Sequence, residues 1–219
     1  MEIPINNEGG VNVVVYLKEN VLEWLKAGSD DATDIVDLPW SIKEIKENYY
    51  VAEHPKMPFL LNVVFSDNFV YLIISTGIET ASLESQERLK MYRILLLLNE
   101  KINLLKFTLS GMNEEIVIRV DLDRKSLGKG EFNDALTALL IGLNEMVSAL
   151  NIEKEFQEAV FERIALMVLD RLSKGASNED ILLFLVKKVG LSREDAKALL
   201  DEILKSQKRP EKGVSMDYI

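Results

Sequence analysis

Apolar residues recur along this chain with two different periods, and each change of period marks a new element. Val14, Leu17, Val21, Leu22 and Leu25 fall at helical spacing before Gly28, so Val13 to Ala27 reads as a first helix. The β-branched run at Val13, Val14 and Val15 leaves a strand over Val11 to Tyr16 as the alternative. An acidic linker follows from Ser29 to Asp37, and Trp40 to His54 then carries a first strand around Glu47 to Glu53. Phe59 to Phe65 and Phe69 to Ser75 are rich in β-branched and aromatic residues and are joined by Ser66, Asp67 and Asn68. Asp and Asn tolerate the left-handed backbone of a tight turn, so this pair predicts an antiparallel hairpin. Leu60, Leu61, Val63 and Val64 leave neither face of it consistently polar, which implies helices on one side and a second cover, such as a partner chain, on the other.

Ser82 to Asn103 predicts a helix capped by Ser82, with Leu89, Tyr92, Leu95, Leu96 and Ile102 turned inward. Leu105, Phe107 and Leu109 alternate with polar residues, Gly111 to Asn113 turn the chain, and Ile116, Ile118, Val120 and Leu122 repeat with period two. That predicts a second hairpin. Phe132, Leu136, Leu139, Leu140, Leu143, Met146, Val147 and Leu150 then form one helical stripe ending at Asn151. Glu153 to Ser173 is a further helix built on Phe156, Val160, Ile164, Met167, Val168 and Leu172, with Gly175 as its stop. Ser177 with Asp180, and Ser192 with Asp195, are Asp variants of the capping box. They start helices over Glu179 to Val189 and Arg193 to Ser206.

The predicted class is α+β. An antiparallel five-stranded sheet packs with helices in the order α-β-β-β-α-β-β-α, and a small all-α segment follows. The expected divisions are residues 1–150, 151–206 and a polar, flexible tail over 207–219. Charge follows the same division: residues 1–150 hold 14 basic and 23 acidic side chains, residues 151–219 hold 12 and 13. The net charge of −10 argues against a chain-wide affinity for phosphate backbone or anionic lipid. A helical segment of this size rarely supplies more than roughly 3–5 kcal/mol by itself, so docking on the first part or on a second copy is expected. No run approaches the roughly 20 apolar residues a bilayer requires, and Met1 to Gly10 lacks a basic start, so a cytoplasmic protein is the expectation.

Candidate chemistry is sparse. The chain has no cysteine, which excludes disulfides and thiolate chemistry, and its one histidine, His54, has no partner identifiable by spacing and reads as an exposed loop residue. Gly128-Lys129-Gly130 before a helix is the best anion-binding candidate, yet both Gly-rich phosphate-binding spacings are absent, and a flexible lead into the helix is the plainer reading. Asp121 with Asp123, and Asp30, Asp31, Asp34 and Asp37, crowd carboxylates without a calcium-loop pattern, so they read as solvated acidic edges. No metal, no cofactor and no catalytic residues are expected. Lys187, Lys188, Arg193 and Lys197 cluster at a spacing like that of a helix-turn-helix, although Glu194, Asp195, Asp201 and Glu202 share the second helix and would repel phosphate.

The hairpin at Phe59–Ser75, the helix carrying Tyr92 to Asn99, the strands at Lys106–Leu109 and Ile116–Ile118, and Phe132 to Leu136 opening the next helix resemble the type III secretion chaperone-like fold shared with YbjN-like proteins. The likeness covers about two-thirds of the chain and lies in element order and hydrophobic pattern. It implies a small acidic protein, often dimeric, without catalytic residues, that holds an extended or partly unfolded segment of a partner. The helices after Asn151 depart from that pattern, and nothing indicates a secretion system. The expected function is therefore non-enzymatic binding of another polypeptide, as a homodimer, with Phe59, Leu61, Phe65, Phe69 and Tyr71 as contact candidates. The alternative is a regulator that touches nucleic acid through Lys187, Lys188, Arg193 and Lys197.

Overall fold

The computed structural model describes residues 9–207, with side chains from Leu17 onward. Beyond Gln207 the expected tail lies outside the described residues. Two compact units divide the chain between Phe156 and Gln157.

The first unit opens with α1 (Gly9–Lys26), which runs as helix through the stretch where a strand was the alternative. Leu17, Val21 and Leu25 repeat every four residues and are buried. A short 3-10 turn at Ile35–Asp37 lies in the acidic linker, and the Trp40 indole N–H donates to the Ile35 carbonyl at 2.9 Å. The strands are β1 (Ser41–Lys46), β2 (Tyr49–Glu53), β3 (Leu60–Phe65), β4 (Phe69–Glu79), β5 (Lys106–Ser110) and β6 (Glu115–Asp123). They form one antiparallel sheet in the order β1-β2-β3-β4-β6-β5.

The sheet therefore has six strands, not five. The added strand is β1, whose Ser-Ile-Lys-Glu-Ile-Lys sequence pairs with β2 across a turn in which Asn48 takes φ 61°. An edge strand with one neighbour carries charge to discourage further pairing, and that same charge hides the period-two signal. The β3–β4 hairpin turns through Asp67 and Asn68, where the Ser66 N–H donates to the Phe69 carbonyl at 2.9 Å.

Helices α2 (Ser85–Lys101) and α3 (Lys129–Leu150) complete the core. Ala52, Leu61, Val63, Val70, Leu72, Ile74, Ile116, Ile118 and Val120 line one sheet face and are buried, as are Phe132, Leu136, Leu139, Leu143, Met146 and Val147 of α3. Phe132 meets Trp24 edge-on at 6.0 Å between ring centroids. Two expectations for α2 fail. Its N-terminal residue outside the helix is Glu84, with no side-chain cap, rather than Ser82. Its buried residues are Leu95 and Leu98, while Leu89 and Leu96 face out. Of the other inward positions expected, Leu95 is buried and Tyr92 and Ile102 are half-buried. Four consecutive leucines give a helix no unique apolar phase, which is why Leu89 and Leu96 read as inward and Leu98 does not.

The second unit draws on α4 (Glu153–Ser173), α5 (Asn178–Phe184), a π-helical turn (Leu185–Val189) and α6 (Arg193–Gln207). Ile164, Val168, Ile181, Phe184, Leu185, Ala196, Leu199, Leu200 and Ile203 form its core.

Candidate protein-binding surface

Strand alternation sends the residues between the buried positions to the far side of the sheet. Register aligns Val51, Asn62, Ile73, Arg119 and Lys106 in one row across five strands, and Tyr49, Val64, Tyr71 and Asp121 in the next. The Tyr49 hydroxyl donates to Asn62 Oδ1 at 2.7 Å, and the Asn62 amide donates to the Ile73 carbonyl at 3.1 Å. Phe69 stacks on Tyr71 with centroids 6.0 Å apart, and the Arg119 guanidinium lies 4.2 Å from the centre of the Tyr71 ring. Asp121 ties this row together, with Arg119 Nε at 2.5 Å and Lys106 Nζ at 2.6 Å. Partial burial alone would raise the Asp121 carboxyl, but hydrogen bonds and charge from Lys106 and Arg119 outweigh it and hold the group below its ordinary range.

The five contact candidates separate cleanly. Phe59, Leu61 and Phe65 are buried in the core and so cannot be direct contacts in this fold. Phe65 and Tyr50 meet edge-on there, at 5.9 Å. Phe69 is exposed and Tyr71 half-buried, both on the open face. Period-two alternation through β3 and β4 carried that division: odd positions from Leu61 to Phe65 point in, and even positions from Val70 to Ile74 do. Leu60 and Val64 are the residues that already made the second face of the hairpin apolar in the sequence. Val51, Ile73 and Arg119 join them only through the register between strands, which a single sequence does not display.

The other candidates serve structural ends. His54 is buried instead of exposed. Its Nδ1 accepts the Lys56 N–H at 3.2 Å, its Nε2 lies 4.0 Å from Asp30 Oδ1, and its ring packs by Trp40. Lys129 is committed to Asp37 at 2.5 Å, and Asn133 Oδ1 accepts the Val36 N–H at 3.1 Å, so the start of α3 clamps the acidic linker. Asp123 accepts the Lys125 N–H at 2.7 Å. No cluster of three or more potential metal ligands occurs among the described residues.

In the second unit, both expected caps form. Ser177 and Asp180 make a reciprocal capping box, and Ser192 Oγ accepts the Asp195 N–H at 3.1 Å. Hydrogen bonds from the Ser177 hydroxyl, and then from its backbone N–H, hold the Asp180 carboxyl below its ordinary range. Gly190, at φ 92°, turns the chain between α5 and α6. Lys187, Arg193 and Lys197 are exposed and Lys188 half-buried, but α6 also exposes Glu194, Asp195, Asp201 and Glu202. Basic and acidic side chains thus alternate along the helix that would meet phosphate.

No helix among the described residues is long and apolar enough to cross a membrane. No curated protein and no solved structure matches the chain. Residues 151–215 match the family model HTH_78, described as a domain of unknown function. Residues 20–150, more than half of the chain and all six strands, match the model described as Domain of unknown function (DUF8183), and the chain belongs to that family.

Proposed function

We propose that this is a non-enzymatic, cytoplasmic protein that binds an extended or partly unfolded segment of another polypeptide on the open face of its sheet. The observation that carries the reading is the stacked pair Phe69 and Tyr71, set among Leu60, Val51, Val64 and Ile73 on the face of the sheet opposite its buried core. Such a surface offers apolar rows for side chains and fixed polar groups at Asn62, Arg119 and Asp121 for backbone amides. The groups that sequence singled out for chemistry support the non-enzymatic part, since His54 is buried and Lys129 is held by Asp37. A helix-covered, one-sided antiparallel sheet also agrees with the resemblance to the type III secretion chaperone-like fold.

The test is titration of the full chain with a labelled, reduced and carboxymethylated polypeptide that stays unfolded. Saturable binding that Phe69→Asp and Tyr71→Asp each weaken, with unchanged thermal midpoints, supports the reading. Absence of binding, or binding indifferent to both changes, overturns it.

The match of residues 151–215 to HTH_78 favours a second reading, contact with nucleic acid through α5 and α6. Affinity for duplex DNA that falls steeply with salt and disappears when Lys187, Lys188, Arg193 and Lys197 are neutralised would support it.

A further inference from the structure

The charges on β1 sort by sign between the two faces of the sheet. Glu44 turns to the core side, where its carboxylate accepts the Tyr50 hydroxyl at 3.0 Å. Lys43 and Lys46 stand in register with Val51 and Tyr49 on the open face, and Lys46 Nζ lies 5.8 Å from the centre of the Tyr49 ring. Charge on an edge strand deters further pairing whatever its sign. Edge protection therefore leaves the sorting unexplained.

The register carries the open-face row onto a sixth strand. Lys43, Val51, Asn62, Ile73, Arg119 and Lys106 stand side by side from one edge of the sheet to the other. Two apolar residues and an amide are flanked by one cation at one end and two at the other. No carboxylate stands in this row, although residues 1–150 hold 23 acidic side chains against 14 basic ones. In the next row Asp121 meets both Arg119 and Lys106, so two cations share one carboxylate. Glu53 and Asp123 lie farther out, level with Leu60 and Phe69. The row thus keeps excess positive charge at both ends, on a unit that is otherwise strongly acidic.

Neighbouring strands lie about 4.8 Å apart, so Lys43 and Arg119, four steps from each other, are separated by roughly 19 Å. An extended peptide advances about 3.3 Å per residue, and its residues i, i+2, i+4 and i+6 face the same way. Residues i and i+6 then span about 20 Å.

We propose that the open face selects an extended segment with acidic residues at i and i+6 and apolar residues at i+2 and i+4. This rests on the reading of that face as a polypeptide-binding surface, and adds the sign and spacing of the charges it takes. The segment crosses the strands along the row. One carboxylate meets Lys43, the two apolar side chains lie over Val51 and Ile73 to either side of Asn62, and the other carboxylate meets Arg119 and Lys106. Burial of the apolar pair supplies affinity, and the flanking charges supply the choice of partner. The net charge of −10 repels such a segment at long range, but at physiological salt that repulsion is screened beyond roughly 8 Å.

Fluorescence anisotropy of the full chain with labelled nine-residue peptides tests this. Each peptide carries leucine at its fourth and sixth positions, Asp, Asn or Lys at its second and eighth, and serine elsewhere. At physiological salt the Asp peptide should bind about fivefold more tightly than the Asn peptide, and the Lys peptide more weakly than either. Moving the second Asp to the seventh position turns it from the sheet and should return the affinity towards that of the Asn peptide. Lys43→Glu, at an exposed edge position, should weaken the Asp peptide about fivefold, with the Asn peptide and the thermal midpoint unchanged. Equal binding of all three peptides that Phe69→Asp and Tyr71→Asp weaken would overturn the charge preference and leave the open-face reading standing. Absence of binding by all three would overturn both. Tighter binding of the Lys peptide, or an Asp peptide indifferent to Lys43→Glu, would also overturn the proposal.

Discussion

Between Leu17 and Val147 the core is assembled from residues far apart in sequence: Phe132 reaches Trp24, and β6 inserts between β4 and β5 after the chain has crossed through α2. Between Ile164 and Ile203 the core draws on consecutive helices, and its turns are fixed by bonds spanning a few residues. Gly175 shows the local style, since its N–H donates to the Leu172 carbonyl and the Ala176 N–H to the Arg171 carbonyl, both at 3.0 Å, as in a Schellman end. Ser177 and Asp180 follow at once with the next helix start. Non-local pairing yields cohesion only after long loops close, whereas helix caps act as soon as their own turn forms. The sheet unit should therefore be the more stable and the slower to form.

The largest test of that contrast removes one core side chain from each unit. Phe132→Ala should cost about 3–5 kcal/mol and Ile181→Ala about 2–5 kcal/mol, both side chains being fully buried. The consequences should differ more than the numbers. A helical core of this size holds only roughly 3–5 kcal/mol in total, so Ile181→Ala should unfold its unit in dilute buffer. Both tryptophans, Trp24 and Trp40, lie in the first unit, so their fluorescence follows that unit during denaturant unfolding while far-ultraviolet circular dichroism registers helices from both. A Phe132→Ala protein with an unshifted fluorescence midpoint would break the comparison.

The same contrast explains what could be read from sequence. The helical unit was legible nearly to the residue because its signals are local: Ser177 with Asp180, Ser192 with Asp195, and glycines at helix ends. The clean alternation of β6 and the stripe of α3 were legible for the same reason. What escaped depended on neighbours. β1 becomes a strand by pairing with β2, α2 takes its rotation from the surface beneath it, and His54 is buried by Trp40 and the linker at Asp30. The contact candidates divided by register, with Phe59, Leu61 and Phe65 inside and Phe69 and Tyr71 outside.

Two glycines sharpen the comparison at intermediate size. An added Cβ at Gly28 would lie 1.8 Å from the Asp37 carbonyl oxygen, with the Asp37 carbonyl carbon at 2.3 Å, so the backbone itself must move. Gly28→Ala should cost on the order of 3 kcal/mol and disturb the linker between α1 and β1. At Gly175 nothing lies within 4 Å of such a Cβ, but φ is +88°. Gly175→Ala should therefore cost only roughly 1–2 kcal/mol, the strain of a left-handed alanine. One glycine is needed for a long-range approach, the other for a local turn. Equal losses in the two variants would contradict that distinction.

The smallest effects concern two carboxylates, Asp121 in the sheet unit and Asp180 in the helical unit, each held below its ordinary pKa. In both, the ionised form is the one the native structure favours. The stability they contribute is thus fully present above the unfolded carboxyl value, near ~3.9, and is lost as pH falls through the lower native value. Asp121→Asn should cost no more than about 1 kcal/mol at neutral pH, and the difference from wild type should vanish in acid. The causes differ, however. Asp121 depends on Arg119 and Lys106, a partly exposed ion-pair network that salt screens. Asp180 depends on short hydrogen bonds within one helical turn, with the Ser177 hydroxyl at 2.7 Å and its N–H at 3.0 Å. Raising ionic strength in the denaturant titration should therefore shrink the effect of Asp121→Asn and leave that of Ser177→Ala nearly unchanged. Equal salt sensitivity at the two sites would mean that charge, rather than hydrogen-bond geometry, also governs the helical turn.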